Sequence, residues 1–93
     1  MKLSKNEILD RLKKYSAWEF SGDSIFKEFS TENFSKAIAF VVEIGIEAEK
    51  LDHHPDINLH SWNKVKITLS THGEGGVTDK DFELLTKIEN IKL

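Results

Sequence analysis

Cysteine is absent from the 93-residue chain, proline occurs once and glycine five times. Without cysteine there is no disulfide scaffold, no thiolate metal site and no cysteine nucleophile. A basic surplus is lacking as well. Thirteen Lys and Arg stand against sixteen Asp and Glu, a net charge of −3, which excludes a general nucleic-acid binder with a basic stripe. No run approaches the ~18 apolar residues of a membrane-spanning helix. The opening MKLSKNEILDRLKK is charged throughout and has no apolar signal core. No repeat, linker or low-complexity stretch interrupts the chain. What remains is 39% hydrophobic and 31% charged, the composition of an ordinary globular protein. The expectation is one domain over residues 1–93, cytoplasmic, with no direct nucleic-acid or membrane partner. A chain this short buries only about 60–65% of its unfolded surface, so its stability should be modest.

Apolar periodicity then orders the elements. Ser4 with Glu7 makes a capping-box pattern, and Ile8, Leu9, Leu12 and Tyr15 follow at helical spacing, predicting a helix from about Lys5 to Tyr15. Trp18 to Phe20, the Ser21-Gly22-Asp23 turn and Ile25 to Phe29 read as a hairpin. Ser30 or Thr31 can cap a long helix from about Glu32 to Leu51. In it Phe34, Ala37, Ile38, Val41, Gly45 and Ala48 form a stripe. Phe40, Ile44 and Leu51 widen it on one side, Val42 and Ile46 on the other. That arc is wider than a helix lying on one sheet requires. It fits either a core helix of a small protein or a flank buried against another subunit. Pro55 should stop the helix near Leu51 to His53. Ile57 to His60 reads as a third strand and Lys64 to Thr71 as a fourth, with one wet and one buried face. A glycine-rich loop, His72 to Val77, precedes Thr78 and Asp81, a second capping box. Phe82, Leu85, Ile88 and Ile91 mark the last helix. The order α-β-β-α-β-β-α predicts a two-layer α+β fold: a four-stranded antiparallel sheet with three helices on one face.

Chemistry concentrates between Glu49 and Asp81. Of the four histidines there, His53, His54 and His72 stand out together with Glu49, Asp52 and Trp62. Imidazole accepts or donates a proton near pH 7, so several histidines around a cleft suit acid–base work. Glu49 precedes His53 by one helical turn. A helix reaching that far would let this carboxylate orient the imidazole or favour its charged form. On the helical wheel Glu49 lies at the edge of the apolar arc, as a partly buried carboxylate would. A solvated helix end is the plainer explanation of adjacent histidines before a proline. His60 shares the wet parity of its strand with Asn58 and reads as surface. Trp62 reads as a strand-end aromatic packed on the sheet, and the capping box accounts for Asp81. Three imidazoles and Glu49 are also legitimate metal ligands, although no HxH or HxxxH spacing is present.

The pattern Glu49-x3-His53-His54-Pro55-x6-Trp62-x9-His72-x8-Asp81 resembles the signature of the pterin-4a-carbinolamine dehydratases. Trp18, Ile25-Phe26-Lys27, Glu47 to Asp52 and Asn63 to His72 are similar to the family as well, so the likeness runs from about Trp18 to Ile91. The resemblance implies the same α+β fold. It implies a hydro-lyase activity too: dehydration of 4a-hydroxytetrahydropterin to the quinonoid dihydropterin, without metal or cofactor, in recycling the pterin of aromatic amino acid hydroxylases. An acid must protonate the leaving hydroxyl at C4a and a base must take the N5 proton. By this resemblance His53, His54 and His72 are the catalytic histidines. We expect His53 to be the acid, supported by Glu49, with His54 and His72 for binding and proton removal. Backbone around Ser70 and Thr71 is expected to meet the pterin ring, with Asp52 near the mouth and Trp62 and Asp81 in support. The resemblance also implies a homodimer or homotetramer, here through the 32–51 helix and sheet edges. A hydroxylase-pathway partner is implied as well. Animal members double as dimerisation cofactors of a homeodomain transcription factor, so a binding module is the alternative.

Overall fold

The computed structural model describes residues 1–93. The first helix, α1 (Lys5–Leu12), starts as the spacing predicts: Ser4 N–H donates to Glu7 Oε1 at 3.0 Å and Glu7 N–H donates to Ser4 Oγ at 3.2 Å. It ends three residues earlier than expected. Lys13, Lys14 and Tyr15 bond back to the carbonyls three residues before them, a tightened final turn. Ala17 then adopts a left-handed conformation, with φ 69°. This reversal carries Trp18 into the core, 5% exposed.

Strands β1 (Glu19–Ser21) and β2 (Ser24–Ser30) form the expected hairpin, closed by Gly22 at φ 64°. Helix α2 (Phe34–Leu51) begins later than expected. Its cap is Asn33, whose side chain accepts the Lys36 N–H at 2.8 Å, not Ser30 or Thr31. Thr31 is instead buried and bonded to the main chain of Asn33 and Asn63. Strands β3 (Asp56–His60) and β4 (Lys64–Leu69) follow, then one 3₁₀ turn at His72–Glu74 and helix α3 (Asp79–Glu89). The fourth strand stops two residues short of Thr71. All pairings are antiparallel, in the order β1-β2-β4-β3.

Strand parity divides the sheet as alternation requires. Ile25, Phe29, Val65, Ile67 and Leu69 are buried on the helix side. They pack with Ile8 and Leu12 of α1, Ala37, Phe40, Ile44 and Ala48 of α2, and Phe82, Leu85 and Ile88 of α3. Glu28, Asn58, His60, Lys64, Lys66 and Thr68 lie on the opposite, open side. Helix α2 is turned away from the expected stripe. The Phe40–Ile44 flank lies inward, Phe40 meeting the Phe29 ring edge-on at 5.0 Å. Phe34, Ile38, Val42 and Ile46 are left 45–56% exposed in a row spaced four residues apart. Both flanks are apolar, so periodicity alone could not choose between them. The face that lies inward pairs two small residues, Ala37 and Ala48, with Phe40 and Ile44.

No helix is long and apolar enough to cross a membrane.

Candidate active site

Three chain segments converge where α2 ends, β4 ends and α3 begins. Helix α2 stops in a Schellman turn: Asp52 N–H donates to Glu49 O at 3.1 Å and His53 N–H to Ala48 O at 3.0 Å. The left-handed residue this turn requires is Asp52, at φ 50°, a side chain that tolerates that region better than most. Pro55 then holds His54 out of helical geometry, and the chain enters β3. The His53 ring is thereby swung off the helix axis toward α3.

There it meets Asp81. His53 Nε2 lies 2.6 Å from Asp81 Oδ1, with the histidine side chain 11% exposed and the aspartate fully buried. Asp81 Oδ2 accepts the Thr71 hydroxyl at 2.8 Å and the Thr78 N–H at 2.9 Å. Asp81 therefore caps α3, as expected, and grips a histidine as well. The other His53 nitrogen, Nδ1, has no protein partner. Every fully buried side-chain nitrogen or oxygen does have one, so Nδ1 reaches the surface. An imidazole held at one nitrogen by a buried carboxylate and open at the other is built to pass a proton.

Glu49 does not support His53. Its carboxylate lies 2.6 Å from His54 Nε2, and the two side chains are 77% and 62% exposed, so Glu49 is not the partly buried carboxylate its wheel position indicated. The Schellman turn is the reason, because after Leu51 the one-turn spacing from residue 49 to 53 no longer applies. His72 is exposed on the 3₁₀ turn, directly after Thr71, and its ring bonds to no protein group. The bridge between Thr71 and Gly76, with Gly75 left-handed at φ 72°, closes this loop.

The remaining expected residues are arranged differently. Trp62 sits 61% exposed in the β3–β4 turn at φ 58°, neither packed on the sheet nor near the histidines. The five residues of β3 hold it roughly 16 Å from them, at ~3.3 Å per residue. Ser70 is buried and its hydroxyl donates to Asp23 O at 2.7 Å, tying β4 to the β1–β2 turn. Thr71 has its own N–H and C=O engaged by the loop, so only its side chain serves the site. Asp52 is exposed beside His53 and acts through its backbone. His60 is surface, paired with Glu28 across β4. Thr78 is the site residue that sequence reasoning missed; its signal was the capping box itself. No group of three or more histidine or carboxylate side chains converges as a metal site would require. The histidines line none of the three surface clefts. The roomiest, about 340 Å³ between Lys2, Ser4, Phe20, Asp23 and Gly76, contains no imidazole. His54 and His72 lie on the open surface, while His53 is nearly buried.

The chain is a two-layer α+β domain with a carboxylate-held histidine at the junction of helix end and strand end. The chain belongs to the pterin 4 alpha carbinolamine dehydratase family, whose model matches residues 1–91. It is 45% identical over 92 residues to a Sulfolobus acidocaldarius protein provisionally named pterin-4-alpha-carbinolamine dehydratase, covering 99% of this chain and 100% of that one. A Roseiflexus protein of the same provisional name is 46% identical over 90 residues, covering 97% and 96%. The crystal structure of a transcriptional coactivator/pterin dehydratase from Brucella melitensis superposes with a TM-score of 0.89 at 33% identity, covering 96% of each chain. A pterin dehydratase-like protein described as a RuBisCO assembly factor in the alpha-carboxysome shares the fold, with a TM-score of 0.62 at 19% identity over 77% of this chain and 82% of that one.

Proposed function

We propose that this protein is a hydro-lyase that dehydrates 4a-hydroxytetrahydropterin to quinonoid dihydropterin and water, and that His53 is its acid. The observation that carries the reading is the His53–Asp81 contact with Nδ1 left open. Protonated His53 donates from Nδ1 to the C4a hydroxyl, which departs as water. The N5 lone pair forms the C4a=N5 bond as water leaves, and the N5 proton passes to His72 or His54, its bond electrons staying on nitrogen as the new lone pair. Asp81 holds the ring and stabilises its positive charge in a place shielded from water. His54 and Glu49 form a solvent-facing pair that fits substrate binding at the rim. The substrate carries its own leaving group and its own electron source, so no step calls for a Lewis acid. The test is dehydration of chemically generated 4a-hydroxytetrahydropterin, followed by stopped-flow absorbance. Catalysed loss of the carbinolamine supports the reading; a rate equal to the uncatalysed one refutes it.

The exposed row Phe34, Ile38, Val42 and Ile46 favours a second role for α2 as an interface. We propose that it joins copies of this chain into a dimer or tetramer. The coactivator half of the Brucella protein's name fits a further partner on such a surface, but an intact His53–Asp81 pair would be idle in a pure adaptor.

A further inference from the structure

The proposed chemistry does not use the hydroxyls of Thr71 and Thr78, yet both are committed around Asp81. Thr71 Oγ1 lies 2.8 Å from Asp81 Oδ2 and 2.8 Å from Thr78 Oγ1. Counting protons fixes the direction of each bond. A carboxylate only accepts, so the single hydroxyl proton of Thr71 goes to Asp81. The Thr71 oxygen then accepts from the Thr78 hydroxyl, whose own oxygen accepts the Lys80 N–H at 3.3 Å. Oδ2 thus carries two donors, from Thr71 and the Thr78 N–H, and Oδ1 is left facing His53 Nε2 alone. That nitrogen must carry a hydrogen.

We propose that Thr71 is a positioning residue. Through Asp81, its hydroxyl holds His53 in the Nε2–H tautomer and leaves Nδ1 as the one ring atom that exchanges a proton with substrate. The kinetic consequence rests on the dehydratase reading; the tautomer does not. After Nδ1 gives its proton to the leaving hydroxyl, the ring is left in the same Nε2–H form, so the chain of hydroxyls favours the state in which each turnover ends. Without the Thr71 hydroxyl, Oδ2 keeps one donor and the Thr78 hydroxyl loses its acceptor. The carboxylate is then free to turn about its Cβ–Cγ bond, and the ring it holds can take either tautomer.

The experiment pairs ¹⁵N spectra of the His53 ring with steady-state kinetics in wild type, Thr71→Val and Thr71→Ser, with His53 assigned by its absence in His53→Gln. At a pH where the ring is neutral, wild type should show hydrogen on Nε2 and a bare Nδ1. Thr71→Val should show a mixture of tautomers and a kcat lower by about 10-fold, the smaller part of what a positioned acid contributes. Its KM should stay within about 2-fold, because the group lost acts on the ring and not on substrate. Thr71→Ser, which keeps the hydroxyl, should restore both the tautomer and kcat. A wild-type ring with its hydrogen on Nδ1 overturns the proposal, whether or not Thr71→Val folds. So does a folded Thr71→Val that changes only one of tautomer and kcat, or neither, or a serine variant that rescues neither. If wild type fails to dehydrate the pterin, the functional reading falls alone, and the spectra still decide the positioning role.

Discussion

At the scale of single residues, the site depends on one buried carboxylate with three donors. Replacing Asp81 by Asn keeps the shape but puts an amide where two donors and an imidazole expect an acceptor. One donor is then left facing another, at a cost of about 1–3 kcal/mol for a buried unpaired group. We expect Asp81→Asn to lower the melting temperature by several degrees, since ~1 kcal/mol shifts a domain of this size by about 4–8 °C. In the folded fraction it should lower turnover by about 10²-fold or more, as loss of the carboxylate behind a catalytic imidazole does elsewhere. Turnover within about 2-fold of wild type would show that Asp81 caps a helix and nothing else. The residue types here were legible before the fold. Paired histidines ahead of a proline, a third on the loop after β4, and an aspartate in a capping box are all visible in sequence. Who holds whom was not. The Glu49–His53 pairing assumed a continuing helix, whereas the left-handed Asp52 breaks the period after Leu51 and sends His53 to Asp81, 28 positions away. Trp62 falls between the two predicted strands, so the spacing itself put it in the β3–β4 turn, at the end of that hairpin away from His54 and His72.

Elements were more legible than contacts. The strands and their parity follow from strict alternation, and α3 begins where Thr78 and Asp81 predict. The errors fall at ends, where propensity gives way to tertiary demand. Helix α1 stops at Leu12 so that Ala17 can turn Trp18 inward, and α2 is capped by Asn33 because Thr31 is held by the β3–β4 turn. The α1 cap has a measurable electrostatic consequence. Hydrogen bonds from the Ser4 N–H and hydroxyl region hold the Glu7 carboxyl below its ordinary value of 4.5, the backbone bond contributing most. A depressed carboxyl stabilises the folded state above its ordinary value, and that contribution is lost as pH falls through the depressed one. NMR titration should therefore show Glu7 titrating below 4.5, with α1 amides near Ser4 loosening over the same acid range. Ser4→Ala keeps the Ser4 N–H and removes only the smaller hydroxyl contribution, so it should return Glu7 only part of the way toward its ordinary value. A Glu7 that titrates normally in wild type would contradict the capping box. On α2, Val42→Lys should dissociate an oligomer built on the Phe34–Ile46 row without lowering the stability of the separated chain, because the position is 56% exposed. Sedimentation of wild type as a monomer at micromolar concentration would refute the interface.

Taken whole, the molecule places its chemistry where the sheet and two helices meet, and its apolar surplus on a separate face. One hydrophobic core unites all three helices with the sheet. In the proposed dehydration the substrate supplies both the leaving group and the electron pair that expels it, so the reaction should not depend on metal. Protein treated exhaustively with chelator should keep its full dehydratase rate, and loss of the rate with recovery on adding zinc would show that the histidines converge on a metal after all.

The central claim is that folded His53, backed by Asp81, moves the proton that expels water from C4a. A positioned acid or base contributes about 10²–10⁴-fold, so His53→Ala and His72→Ala should each lower turnover at least ~10-fold on chemically generated 4a-hydroxytetrahydropterin, allowing for rescue by water. Both act on one substrate in one reaction, so the double variant should lose less than the product of the two losses. His60→Ala, on the open face of the sheet and paired with Glu28, should turn over like wild type. The account is contradicted if folded His53→Ala keeps wild-type turnover while His60→Ala loses it.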